Sequence, residues 1–198
     1  SSSAAQHSQS LEAWFAHIPG LVVVAPSTPA DNHGLLLAAL ASGDPVVYME
    51  HKELWGTPGA VTSGDVVPLG KARVARAGSD LTIVSWSRQM QACEQAAEQL
   101  AAQGVQAELI DLRTIWPWDK DAVLQSVAKT GRLLVVHEAI RVAGFGAEIA
   151  ATVAEETGAK VARLGAPRIP VGYAPTLEAE ARVSAAHISA AAQKLVAP

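Results

Sequence analysis

Asp80-Leu-Thr-Ile-Val-Ser85, a helical run from Arg88 to Gln103 that stops at Gly104, and Ala107-Glu-Leu-Ile-Asp111 form the stretch on which the fold turns. The two apolar runs have strand length, while the Ala- and Gln-rich run between them has helical length and ends on the residue that most readily takes a left-handed conformation. Strand, helix, strand in that order requires a crossover and gives parallel pairing. Downstream the unit recurs: a helix over 119–129 closed by Thr130-Gly131, a strand over 132–137, a helix over 145–157 closed by Gly158, and a strand over 160–164. A doubly wound α/β domain is the arrangement that buries all of these faces. Lys71-Ala-Arg-Val-Ala-Arg76 alternates like an edge strand; 167–175 is too proline-rich for regular structure, and 183–195 reads as a terminal helix.

Upstream, Ser10 is expected to cap a helix over 11–18, with Leu11, Trp14, Phe15 and Ile18 on one face, ended by Pro19-Gly20. A buried strand over 21–26, a helix over 32–41 with Pro29 in its first turn, and a strand over 45–50 complete this segment. From Leu54 to Gly64 periodicity dissolves into Gly, Pro, Thr and Ser. The expected division is residues 1–60, a linker and edge strand at 61–78, and a second unit at 79–198. Two strands in the first segment want neighbours, so further strands are expected from a preceding segment or another chain. Ser1 to His7 reads as a cut edge or a loop.

The chain has 198 residues, 49% hydrophobic and 17% charged, the profile of a folded protein. Its net charge of -4 arises from 19 acidic and 15 basic residues without a basic stripe, which argues against a nucleic-acid partner. Cys93 is the only cysteine, which excludes an internal disulfide or a cysteine-based zinc site and fits a reducing compartment. Apolar runs such as 21–26 and 133–136 are far too short to span a bilayer.

Several separated segments carry a resemblance. Gln6-His-Ser-Gln-Ser-Leu-Glu-Ala-Trp-Phe-Ala-His-Ile-Pro-Gly20, Val24-Ala-Pro-Ser-Thr-Pro29 and Asp44-Pro45 leading to Glu50-His-Lys52 are similar to the second half of the pyrimidine domain in beta subunits of thiamine-diphosphate-dependent 2-oxoacid dehydrogenases. Ile110-Asp-Leu-Arg-Thr-Ile-Trp-Pro-Trp-Asp119, Lys129-Thr-Gly-Arg-Leu-Leu-Val-Val-His-Glu-Ala139 and Gly144-Phe-Gly-Ala-Glu-Ile149 resemble their C-terminal domain, in the same order. The resemblance implies an incomplete transketolase-like pyrimidine domain followed by a doubly wound transketolase C-terminal domain. It implies a lipoyl-acylating enzyme that is active only with an alpha subunit holding thiamine diphosphate and magnesium. The family's glutamate and aromatic at the cofactor would lie upstream of residue 1, so no cofactor-binding residue is assigned. Implied partners are the alpha subunit, a second beta subunit in an alpha2beta2 heterotetramer, and a lipoyl-bearing acyltransferase core, in a bacterial cytoplasm or a mitochondrial matrix.

By the same resemblance His7 faces the active site and serves substrate positioning, proton transfer and acylation of the lipoyl group. An imidazole titrates near neutrality and can do this; by residue type alone it reads better as a loop histidine before a helix cap. Ala39, Ser42 and Asp44 fall where relatives bind potassium through backbone carbonyls, though an ordinary helix-to-strand turn reads equally well. His17 suits a helix C-terminus, and no two histidines lie three or four residues apart, which argues against protein-ligated metal catalysis. Gly144-Phe-Gly146 lacks the third glycine of a dinucleotide loop and is better read as a turn packing helix against sheet. His137-Glu138 lies at a strand end where doubly wound sheets place ligands, and is left unassigned. Trp116 and Trp118 flank a proline, one suited to a subunit contact and one to the core. Two rival functions remain: a transketolase-type ligation enzyme, and a non-catalytic truncated assembly module.

Overall fold

The computed structural model describes residues 4–197, so the reading of the terminus as a loop lies, for Ser1 to Ser3, outside the described residues. Chain order gives α1 (Ala4–His7), α2 (Glu12–Ala16), β1 (Val22–Val24), α3 (Pro29–Ala41), β2 (Val46–Tyr48) and a 3-10 turn at Lys52–Leu54. There follow β3 (Arg73–Arg76), β4 (Leu81–Ser85), α4 (Gln89–Ala101), β5 (Ala107–Asp111), β6 (Thr114–Trp116), α5 (Lys120–Thr130), β7 (Arg132–Ile140), α6 (Gly146–Thr157), β8 (Lys160–Ala166), α7 (Pro175–Glu180) and α8 (Ala185–Val196).

The larger sheet runs β3-β5-β4-β7-β8, parallel except for the antiparallel edge strand β3. Its strands are apolar on both sides, and the pleat sorts them. Leu81, Ile83, Leu134 and Val136 join α4 and α8 in one core, whereas Val84, Leu133 and Val135 join Val123, Val127, Ile149 and Val153 from α5 and α6 in the other. Gly131 and Gly158 end α5 and α6 at φ 69° and 65°, the left-handed caps that the sequence pattern requires.

The first segment departs from expectation in two places. Ser10 does not cap α2: Leu11 stands at the N-cap without a side-chain hydrogen bond, and the helix spans only Glu12–Ala16. His7 is the last residue of a short helix rather than part of a loop. The cap of α3 forms on Thr28, whose hydroxyl accepts from the Asp31 amide at 3.1 Å with Pro29 in the first turn.

β1 pairs in parallel with β2, as alternation of strand and helix predicts. Its other edge is covered from within the chain, because β6 pairs antiparallel to it with Val24 opposite Thr114. The two segments thus share a sheet. Residues 58–66 between them are exposed, and the strap then closes on α3 where Val67 donates its amide to the Gly34 carbonyl at 3.1 Å.

At the seam the turn between β5 and β6 places Arg113 at φ 59°, a left-handed conformation that costs a non-glycine residue about 1–2 kcal/mol. Its guanidinium more than offsets this cost. It donates to Asp31 Oδ1 at 2.9 Å and to the Lys71 and Ala72 carbonyls at 2.8 and 3.1 Å. Arg73 donates to Asp111 Oδ2 at 3.0 Å and lies 3.6 Å from Asp31, and the Ser27 hydroxyl also donates to Asp111. Burial pushes the Asp111 carboxyl up to about 6 despite these partners.

A second buried group lies on β7. Gly144, Gly146 and Gly165 close on the His137 ring so tightly that a Cβ on any of them would lie 2.7 Å from a ring atom, and Trp86 stacks on the ring at 5.4 Å between centroids. The Gly144-Phe-Gly146 turn therefore packs helix against sheet. His137 Nδ1 lies 3.0 Å from the Ala139 carbonyl, an acceptor, so Nδ1 carries the hydrogen of the neutral ring.

Arg113→Ala is expected to lower the unfolding free energy in a urea titration by about 3 kcal/mol, because it strips a buried carboxylate of its closest cation. A second expectation concerns acid. Burial lowers the His137 pKa from 6.5 to about 4, so between these values the unfolded chain binds the proton more readily and stability falls as pH falls. The stability difference between wild type and His137→Gln should shrink by on the order of 3 kcal/mol from pH 7 to pH 4; a constant difference would show that the imidazole is not buried neutral.

Candidate active-site cleft

Between the two segments opens a cleft of about 630 Å³, into which His7, Trp14, His51, Glu53, Glu138 and Arg182 project. His7 stands exposed on its rim, presented by the C-terminal end of α1. The following residues 8–11 form the wall beside it.

A charge network joins the segments along the cleft. His51 Nδ1 accepts the Glu53 amide at 3.1 Å, which leaves the hydrogen of the neutral ring on Nε2, directed at Glu138 Oε2 at 3.2 Å. Arg88 lies 3.0 Å from Glu53 and 3.9 Å from Glu138. Arg182 pairs with Glu53 and, at 2.9 Å, with Glu178. The Arg182 guanidinium holds the Glu53 carboxyl well below the usual carboxylate range. As a network these residues did not stand out in the sequence, since they come from separate elements and have no common spacing. The sole hint was the position of His137-Glu138 at a strand end: His137 turns inward as a buried ring, while Glu138 turns to the cleft.

Deeper in, Glu12 is 5% exposed and its Oε1 accepts the indole N–H of Trp86 at 3.0 Å. Burial raises the Glu12 pKa.

The other residues singled out from the sequence lie elsewhere. Ala39 lies in the last turn of α3, and Ser42 and Asp44 in the turn after it, with the Ser42 amide donating to the Ala39 carbonyl at 3.2 Å and the Asp44 amide to Ser42 Oγ at 3.1 Å; none of them lines the cleft. His17 follows the last residue of α2. Trp118 packs partly buried on the core, while Trp116 remains 41% exposed with its ring edge-on to Phe145. Among the described residues no group of three His, Cys, Asp or Glu side chains is placed to hold a metal ion. No helix among them is long and apolar enough to cross a membrane.

Residues 70–188 match the family model for the transketolase C-terminal domain. The chain belongs to the transketolase family. Residues 1–57 match the transketolase pyrimidine binding domain, so the cleft of this transketolase-family chain lies between parts of both domains. Over 196 residues it is 45% identical to the beta subunit of acetoin:2,6-dichlorophenolindophenol oxidoreductase from Cupriavidus necator, covering 96% of the chain and 58% of that protein. It is 41% identical to the 2-oxoisovalerate dehydrogenase beta subunit of Bacillus subtilis, with 96% and 60% covered. It is 44% identical to the mitochondrial pyruvate dehydrogenase E1 beta subunit of Caenorhabditis elegans, with 96% and 57% covered. The chain thus spans less than two thirds of the length of these relatives. A solved structure described as a split-gene transketolase, inactive beta4 tetramer, shares the fold with a TM-score of 0.84 at 23% identity, covering 97% of this chain and 63% of that one.

Proposed function

We propose that the chain is the beta-subunit part of a 2-oxoacid dehydrogenase, which decarboxylates a 2-oxoacid on thiamine diphosphate and passes the acyl group to a lipoyl domain. The observation that carries this reading is the exposed imidazole of His7 at the cleft rim, in a chain whose relatives are named as beta subunits of acetoin, pyruvate and branched-chain enzymes. From that rim His7 can exchange a proton with a species lodged in the cleft and steady its polar groups. The units are proposed to divide at 1–60, 61–78 and 79–198, a reading supported by the irregular exposed strap.

Among the described residues no group of three His, Cys, Asp or Glu side chains is placed to hold magnesium; of the cations that line the cleft, Arg182 is engaged with carboxylates, and Lys52 and Arg168 stand beside it. By the resemblance to 2-oxoacid dehydrogenase beta subunits, thiamine diphosphate and magnesium are assigned mainly to an alpha subunit in an alpha2beta2 heterotetramer, which would meet a lipoyl-bearing acyltransferase core. A bacterial cytoplasm or a mitochondrial matrix suits such an assembly, and the relatives include a bacterial and a mitochondrial subunit.

With the alpha subunit and a complete beta chain, His7→Ala should reduce lipoyl acylation by about 10²-fold or more while the subunits still assemble. Full acylation by the variant would refute the role of His7. Failure of the wild-type assembly to acylate any lipoyl domain would favour the non-catalytic module instead.

Potassium is proposed to bind the turn of Ala39, Ser42 and Asp44 through carbonyls, where the C-terminal end of α3 directs partial negative charge. Potassium chloride should then raise the melting temperature above that in choline chloride of equal ionic strength. Identical melting curves would exclude the site.

A further inference from the structure

From Ala4 to Leu11 no side chain is fully buried; Glu12 is the first in the described chain that is. The segment that carries His7 is therefore anchored by what Glu12 touches. Ala13, Phe15 and Ala16 of α2 also rest on the core, but partly buried and without direction. Among residues 4–16, Glu12 makes the directional contact with the second segment, accepting the Trp86 indole N–H at 3.0 Å, with both residues almost wholly removed from solvent. Trp86 is fixed in turn: it follows β4, stacks on His137 at 5.4 Å, and meets Phe145 edge-on at 6.4 Å. His137 cannot shift, because three glycines enclose it.

Beside Glu12 lies a cavity of about 90 Å³ lined by Gln9, Ser10, His51 and Glu138 among others, and Gln9 and Ser10 also line the main cleft. The anchor and the His7 segment thus share walls. We infer that Glu12 is a positioning residue for His7: its hydrogen bond to Trp86 sets where the His7 segment stands relative to the C-terminal domain. A carboxyl is well suited to this place. Among the described residues it is the one partner of the buried indole N–H, and an apolar residue would take that acceptor away. The inference rests on the functional reading given above for its catalytic consequence, though not for the coupling itself.

Two measurements test it. In the chain alone, the His7 proton resonance, identified by its loss in His7→Ala, should be displaced or broadened in Glu12→Leu and remain near its wild-type position in Glu12→Gln, whose amide oxygen can still accept from Trp86. An unmoved His7 resonance in Glu12→Leu overturns the proposal whether or not the assembly is an enzyme. In the assembly with the alpha subunit, Glu12→Leu should lower kcat for lipoyl acylation roughly ten- to hundred-fold with KM nearly unchanged, and Glu12→Gln should restore most of it. Should Glu12→Leu fail to fold, Trp86→Phe removes the same hydrogen bond from the other side and should show the same displacement and the same loss of kcat. A folded variant of either kind with wild-type kcat, in an assembly whose wild type is active, also overturns the proposal. An inactive wild type refutes only the functional reading, and the resonance then decides the coupling.

Discussion

Two carboxylates and two guanidiniums hold this molecule in one piece. Asp31 comes from the first segment, Asp111 and Arg113 from the end of β5 and its turn, and Arg73 from the edge strand, so that the carboxylate of the first segment is met by guanidiniums of the second. The cluster is electrically balanced when both acids are ionised, which is what makes the two carboxylates tolerable out of reach of water. A buried ion pair is weak evidence of net stability, yet removal of one member leaves an uncompensated charge. The cluster therefore matters most as a fixed register between the two segments.

That register sets the cleft. With Arg113 held, β6 lies along β1 and closes an edge that would otherwise be open, and α2 comes to rest against the core under α5 and α6. The cleft then forms where the two segments diverge. Its second set of bridges, His51 to Glu138 and Arg88 and Arg182 to Glu53, is more exposed and individually weaker, so it trims the opening and does not create it.

The parallel sheet was legible because its units repeat a local pattern: apolar strand, Ala-rich helix, glycine stop. β6 was not, because Thr114-Ile-Trp116 is a three-residue strand beside a proline, and its partner lies far back along the chain. The cap expected of Ser10 failed because α2 starts one residue later than the pattern suggested, with a carboxylate at its first position drawn inward by an indole. Glu12 illustrates the general difficulty. By periodicity a glutamate in an amphipathic helix belongs on the wet face; only the donor waiting across the interface makes burial tolerable, and nothing local announces that donor. His7 could be singled out only through its neighbours Gln6, Ser8, Gln9 and Ser10, since an exposed histidine has no pattern of its own.

The exposed strap at 58–66 carries little of this architecture. The register between the segments is kept by β6 on β1 and by the Asp31 and Arg113 pair, neither of which passes through the strap. Covalent continuity there contributes mainly a loop-closure entropy that changes slowly with length. The polypeptide is accordingly divisible at this point: a break in the strap would leave two strands of chain travelling as a single particle, and an insertion there would be carried on the outside without disturbing the cleft.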